Sequence, residues 1–203
     1  MKIRSILYNM ILAVATATLI TSCSGGKHDG HHGHNDETEH AGSTDEDATG
    51  PQFEVAPEFQ NQLAVVFTSY VKLKDALVAS DAESAKAEAK ETGESLTKVD
   101  MKLLTGAAHN DWMTFVAPME TALNEIESAS DIEVQRKAFS NLSDKLYKSV
   151  KAFGLGGKEA FYEYCPMAFN DEGGYWLSDQ EKIRNPYFGD KMLTCGMVKE
   201  KLK

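Results

Sequence analysis

The sequence predicts an all-α fold: an up-down four-helix bundle with a short irregular C-terminal segment packed on it. We expect that segment to contain turns, a short strand and a short helix. From Phe53 to Phe153, apolar residues recur at steps of three and four, which is the period of amphipathic helices. Short links with helix-start signals divide this region into four segments, as in an up-down bundle.

The first two helices are separated by a capping signal. In Ser80-Asp81-Ala82-Glu83, the pattern predicts that Ser80 accepts a hydrogen bond from a free backbone N–H while Glu83 reaches back. The second segment presents small residues that allow close approach between helices. The apolar positions of the two segments are Phe59, Leu63, Val66, Phe67, Tyr70, Leu73 and Leu77, then Ala82, Ala85, Ala89, Leu96, Val99 and Leu103.

The third and fourth helices have their own start and stop signals. Pro118 lies inside the third segment, where it removes a backbone hydrogen bond and favours a kink. Ser130-Asp131-Ile132-Glu133 is a second capping box, and Gly154 suits the end of the fourth helix. The apolar stripes are Trp112, Phe115, Met119, Leu123 and Ile126, then Phe139, Leu142, Leu146, Val150 and Phe153.

The sequence changes character after Gly157. The run FYEYCPM alternates as a short strand does, and Gly173-Gly174 indicates a turn. A third box, Ser178-Asp179-Gln180-Glu181, predicts a short helix that ends at Asn185-Pro186. The side chains expected to anchor this segment on the bundle are Trp176, Tyr187 and Phe188.

The N-terminus is typical of an exported protein. Lys2 and Arg4 precede the apolar run ILYNMILAVATATLI, which is short for a membrane span. The sequence Ile20-Thr21-Ser22-Cys23 resembles the lipobox of bacterial lipoproteins, which implies cleavage before Cys23 and acylation of that residue. We therefore expect a signal peptide at 1–22 and a lipid anchor in a membrane that faces the periplasm. Of the two membranes of the envelope, we expect the outer one. The alternative is an ordinary secretory signal with a chance cysteine.

Residues 23–52 form a predicted disordered tether, followed by one domain at 53–203. The tether is rich in Gly, Ser, Asp and Glu and has too little apolar surface to fold. Its histidines favour weak binding of Zn(II), Ni(II) or Cu(II), unless the tract is only a polar spacer. They are His28, His31, His32, His34 and His40.

Composition excludes several functions. The formal net charge of −10 and the lack of a basic cluster argue against a nucleic-acid partner. The sequence contains no P-loop, no Gly-x-Ser-x-Gly elbow and no His-Glu-x-x-His motif. The single histidine of the predicted domain, His109, lies beside Asn110 and Asp111 and is expected to start a helix. We predict that the protein is not an enzyme and uses no organic cofactor.

The C-terminal segment contains two of the three cysteines, each two residues before a methionine. Thiolates and thioethers are soft donors that select Cu(I) or Ag(I), so these residues are a candidate metal site. An exported protein also permits a disulfide, which over a loop of about 30 residues adds roughly 3–4 kcal/mol of stability. The pair is therefore a metal site, a disulfide or neither. The candidate ligands are Cys165, Met167, Met192, Cys195 and Met197.

The segment EYCPMAFNDEGGYWLSDQEKIRNPYFGDKMLTCGMVKE, with the upstream QRKAFSNLS, resembles domain-of-unknown-function family 3347. That family is found in lipoproteins of Bacteroidetes and is appended to periplasmic adaptors of copper/silver-type efflux pumps. The similarity extends over about residues 58–203. It implies a helical bundle and a link to heavy-metal efflux or buffering, with an efflux adaptor as the partner. The competing hypothesis is a disulfide-stapled interaction module without metal in its folded domain. The cysteine pair can also be oxidised at rest and bind Cu(I) only when reduced.

Overall fold

The computed structural model describes residues 50–203. The predicted signal peptide, the lipidation site Cys23 and the tether histidines lie outside the described residues, so they stay predictions. Those histidines are His28, His31, His32, His34 and His40. Within the described range, no helix is long and apolar enough to cross a membrane.

Four long helices make up most of the described chain, as predicted. Their bounds are α1 Pro57–Val78, α2 Ala82–Thr97, α3 Gly106–Ser128 and α4 Ile132–Phe153. Each packs against the next, and α4 also contacts α1, which is the arrangement of an up-down bundle. A 3₁₀ turn at Met101–Leu103 lies in the link between α2 and α3.

The bundle core is aromatic at one end. The Phe59, Trp112 and Phe153 rings meet edge to face, with centroids 5.1–6.0 Å apart. All three are 2% exposed or less. Such pairs stabilise beyond the area that they bury. Pro118 lies inside α3, which continues as one helix on both sides of it.

The helix starts are displaced by one residue from the prediction. Asp81 caps α2 by accepting from the backbone N–H of Ser84 at 3.0 Å, and Asp131 caps α4 in the same way. Ser80 was therefore wrongly predicted as a cap, and the corresponding serine before α4 likewise. The Ser80 hydroxyl instead accepts a hydrogen bond from Arg136 at 2.9 Å. Gly154 ends α4 with φ of 74°, as its sequence position predicted.

The C-terminal segment is a three-stranded antiparallel sheet, so the strict all-α prediction is wrong there. The strands are β1 Ala160–Cys165, β2 Gly174–Ser178 and β3 Met197–Leu202, in the order β2-β1-β3. Only β1 was expected. Along β3, MVKEKL, exposed residues alternate with more buried ones. This is the pattern of an edge strand that is buried on one side only.

The helix predicted to start at Ser178 does not form. Ser178 ends β2, and its hydroxyl accepts from the backbone N–H of Gln180 at 3.1 Å. The chain then continues through bends to a 3₁₀ turn at Gly189–Met192. Pairing of Tyr162 with Leu177 and of Phe161 with Ser178 extends β2 through this position. Sheet formation thus overrides the local capping signal.

A buried arginine joins this segment to the bundle. Arg136 on α4 is 3% exposed and donates to the carbonyl oxygen of Pro186 at 2.9 Å and to that of Leu77 at 3.3 Å. The predicted anchors are also in place. Trp176 is fully buried, Tyr187 is buried against Phe139, and Phe188 is half-buried.

Candidate functional site

The two C-terminal cysteines are brought together by the sheet. Cys165 is the last residue of β1, and Cys195 lies just before β3. Because Tyr164 pairs with Met197, the antiparallel register places these two ends side by side. The Sγ atoms of Cys165 and Cys195 are 2.9 Å apart, and both residues are present as free thiols. Cys165 is fully buried, whereas Cys195 is partly exposed.

The backbone around Cys195 is fixed by three hydrogen bonds. Its N–H donates to the carbonyl oxygen of Met192 at 3.0 Å, and its own carbonyl oxygen accepts from the Asn185 amide at 2.8 Å. Asn185 is fully buried and also donates its backbone N–H to Leu193 at 2.9 Å. The position of the Cys195 sulfur is therefore set by the loop that Asn185 holds closed.

Gly196 allows the loop to approach the sheet. Its φ is +147°, and a Cβ at this position would lie 3.0 Å from the Trp176 ring and 3.0 Å from the Tyr164 carbonyl oxygen. Only glycine fits both the conformation and the contact. The C-G-M sequence therefore has a packing reason for its middle residue.

The predicted methionines lie in different environments. Met167 and Met197 are each 46% exposed, although large apolar side chains usually bury more of their surface. Met192 is half-buried at the end of its 3₁₀ turn. The structure thus joins the two cysteines directly, ties Met192 to Cys195 through the backbone, and leaves two thioethers at the surface.

A strained turn follows Met167. Phe169, Asn170 and Asp171 have φ of 55°, 58° and 68°, so three consecutive non-glycine residues of the turn Ala168–Asp171 occupy the left-handed region. Each such residue costs on the order of 1–2 kcal/mol. The Phe169 ring packs on Tyr187 with centroids 4.9 Å apart, which helps to offset this cost.

A buried carboxyl group lies near Cys165 on strand β1. Glu163 lies two residues before Cys165, on the same face of the strand, and is fully buried. Within the described residues, neither carboxyl oxygen has a hydrogen-bond partner, nor does the indole nitrogen of Trp176. Burial raises the pKa of Glu163 to about 8, while the positive charge of Lys74 acts in the opposite direction.

The electrostatics of the pair favour a protonated thiol at Cys195. The hydrogen bond with Cys165 raises the pKa of the Cys195 thiol to about 11, and burial and charge repulsion act in the same direction. A thiolate is the form that binds a metal ion. Metal binding at this pair must therefore displace protons, and it competes with the thiol–thiol contact.

The donor set fits a soft ion better than a hard one. Among residues 50–203, no three His, Cys, Asp or Glu side chains converge as a metal site. Two thiols side by side match the soft sulfur donors that Cu(I) prefers. Two metal–sulfur bonds of about 2.3 Å at a tetrahedral angle place the sulfurs about 3.8 Å apart. The pair must widen by roughly 1 Å from its observed separation to hold an ion.

Sequence reasoning missed two residues of this site. Glu163 looked like an ordinary acid in an alternating strand, and only the pairing of β1 between two strands shows that it is buried. Asn185 was interpreted as a helix terminator, although it clamps the loop. At Gly196, the structure identifies the Trp176 ring as the neighbour that the loop approaches closely. His109 lies in the first turn of α3, as predicted.

Comparison with known proteins supports the family resemblance for the bundle. Residues 66–158 match the model of a family described as "Protein of unknown function (DUF3347)". The matched range is shorter than the resemblance suggested. It ends before Cys165, so both Cys165 and Cys195 lie outside it. No curated protein and no solved structure matches the chain.

Proposed function

We propose that this protein binds a soft monovalent metal ion, Cu(I) or Ag(I), at Cys165 and Cys195. The observation that supports this function best is the contact at 2.9 Å between the sulfur at the end of β1 and the sulfur in the loop before β3. Two thiols so close together form a ready pair of soft donors. The ion is cargo that the protein buffers or passes to a heavy-metal efflux system.

The methionines complete the proposed donor set. Met192 is tied to Cys195 by a backbone hydrogen bond, and Met167 and Met197 leave nearly half of their surface accessible. A thioether adds to the binding of Cu(I) but little to that of Zn(II). The five residues exceed what one ion requires, so we assign the main role to the two thiolates.

The sulfur contact also favours a second candidate. A separation of 2.9 Å is shorter than two metal–sulfur bonds allow, and a disulfide forms with only a small further approach. In this second function the bond staples an interaction module of the cell envelope, with no metal in the folded domain. The two candidates are compatible if the pair is oxidised at rest and binds the ion when reduced.

The setting of the site rests on the N-terminal sequence. A lipid on Cys23 would hold the domain at a membrane facing the periplasm, and the histidines of 28–40 would collect borderline ions with low affinity. An efflux adaptor is the partner that the family resemblance implies. The formal net charge of −10 argues against nucleic acid as the partner.

Metal binding can be tested on the reduced full-length protein without oxygen. We expect about one Cu(I) in competition with a chromogenic Cu(I) chelator, loss of that binding in the Cys165→Ser, Cys195→Ser double variant, and preference for Cu(I) over Zn(II). Replacing Met167 and Met192 by Leu keeps apolar volume and is expected to weaken binding while leaving the fold intact.

The chain offers a matched control. Met101 and Met113 are 45% and 44% exposed, like Met167, but are remote in sequence from the cysteines. Leu at both positions is expected to leave Cu(I) binding unchanged. A folded, reduced protein that takes no Cu(I) from the chelator would eliminate the metal function and leave the disulfide-stapled module.

A further inference from the structure

The two cysteines of the pair differ in their exposure to solvent. Cys165 is 0% exposed and belongs to the apolar core together with Trp176 and Tyr187. Cys195 is partly exposed and lies in the loop that leads into the edge strand β3. A nucleophile from solvent can therefore reach Cys195, whereas Cys165 is enclosed in the apolar core.

The methionines that follow the two cysteines are also exposed. The flanking methionine Met197 is 46% exposed, and so is Met167 after the other cysteine. Met192 and Asn185 hold the Cys195 backbone through hydrogen bonds to its N–H and its carbonyl oxygen. Exposed disulfides are the exchangeable ones, whereas enclosed ones resist reduction.

We propose that Cys195 is the sulfur at which an external thiol opens the Cys165–Cys195 disulfide, and that this exchange controls whether the pair is free to bind a soft metal. The metal part rests on the function proposed above, whereas the exchange part depends only on the pair. The reactant is a small thiol or a thiol-bearing protein of the same compartment.

The step balances as an ordinary thiol–disulfide exchange. A thiolate of the external thiol attacks Cys195 Sγ, and the bond to Cys165 breaks. The electron pair leaves on Cys165 Sγ, which takes a proton from solvent, and Cys195 remains in a mixed disulfide. A second external thiolate then attacks the external sulfur of that bond and releases Cys195. Two external thiols are oxidised to one disulfide, and the pair is reduced to two thiols.

The test uses the folded, oxidised full-length protein with reduced glutathione as the thiol. Samples are quenched during the reaction with N-ethylmaleimide, and the cysteine peptides are identified by mass spectrometry. We expect glutathione on Cys195 and maleimide on Cys165, with at least about a tenfold excess over the reverse pattern. Equal labelling, the reverse pattern, or no reaction until the protein is unfolded would each overturn the inference.

Single variants give an independent readout. Cys165→Ser leaves Cys195 as the only thiol of the pair, and Cys195→Ser leaves Cys165. With glutathione disulfide as reagent, we expect the first variant to be labelled at least about tenfold faster than the second in the native state. In urea the two rates should converge. Rates that already agree in the native state would contradict the difference in access.

Cu(I) competition on the same samples separates this inference from the proposed function. If glutathione opens the pair at Cys195 but the reduced protein takes up no Cu(I), the metal function fails and the exchange site stands. If chemically reduced protein binds Cu(I) but glutathione does not open the pair, the exchange site fails alone. A folded protein that never forms the bond under oxidant overturns both the disulfide module and the exchange site.

Discussion

Cys165 and Cys195 place their sulfur atoms 2.9 Å apart, although thirty residues separate them in the chain. The intervening segment contains β2, the Trp176 and Tyr187 anchors and the Asn185 clamp. A contact at the two ends of this segment closes the C-terminal part of the fold onto itself. We expect the oxidation state of this cysteine pair to set both its chemistry and the stability of the sheet.

Reduction of the pair is expected to destabilise the protein. A bond that closes a loop of about 30 residues lowers the entropy of the unfolded chain and adds roughly 3–4 kcal/mol to the free energy of unfolding. Urea unfolding of the oxidised protein, with and without reductant, measures this difference. The Cys195→Ser variant should match the reduced protein and should not respond to reductant. An equal midpoint in both redox states would mean that the bond does not form in the folded protein.

Glu163 is expected to make the protein less stable as the pH rises. The ordinary pKa of the carboxyl is 4.5, which we take for the unfolded chain, and burial raises the folded pKa to about 8. Below pH 4.5 both states hold the proton. Between these values only the folded state keeps it, so this group lowers the free energy of unfolding by up to about 1.4 kcal/mol per pH unit.

The Glu163→Gln variant removes this titration while keeping the shape of the side chain. We expect its free energy of unfolding to depend less on pH between about 5 and 8 than that of the wild type. Glu172→Gln changes an exposed acid just before β2 and serves as the control, with a wild-type profile expected. If Glu163→Gln and Glu172→Gln give the same profile, Glu163 is ionised in the folded state.

Two glycines give opposite predictions for the same substitution. At Gly196, alanine places a Cβ 3.0 Å from Trp176 at φ of +147°, so we expect destabilisation of about 1–3 kcal/mol. At Gly93, inside α2, a Cβ meets nothing within 4 Å, and alanine should stabilise by about 0.5–1 kcal/mol. Thermal melting of both variants measures the contrast. A neutral Gly196→Ala would show that the loop does not pack on Trp176 as closely as described.

The lipid anchor predicted at Cys23 can be tested in cells. Since the sequence Ile20-Thr21-Ser22-Cys23 indicates acylation of this cysteine, Cys23→Ala should move the protein from the membrane fraction to the soluble periplasm. Cys165→Ser should leave it in the membrane fraction and controls for loss of any cysteine. A Cys23→Ala protein that still sediments with membranes would place the anchor elsewhere.

The four helices could be predicted from the sequence because the signals that define them are local. Apolar spacing of three and four residues depends only on the helical period, and residues such as Phe59, Phe139 and Phe153 are buried where that spacing places them. The cap predictions missed by one residue because Ser80 is recruited by Arg136 on a different helix, a contact that a local pattern does not contain.

The C-terminal sheet was decided by tertiary structure. Strands β2 and β3 are five and six residues long, and neither can exist without β1 between them, so the information lies in pairings such as Tyr162 with Leu177 and Tyr164 with Met197. The same holds for the cysteines. Their C-x-M spacing identified them as a candidate pair, but the register of β1 with β3 brings the sulfurs together and leaves one buried and the other accessible. Helical periodicity depends on residues that are neighbours in the sequence, whereas contact between distant residues depends on the register in which the strands pair.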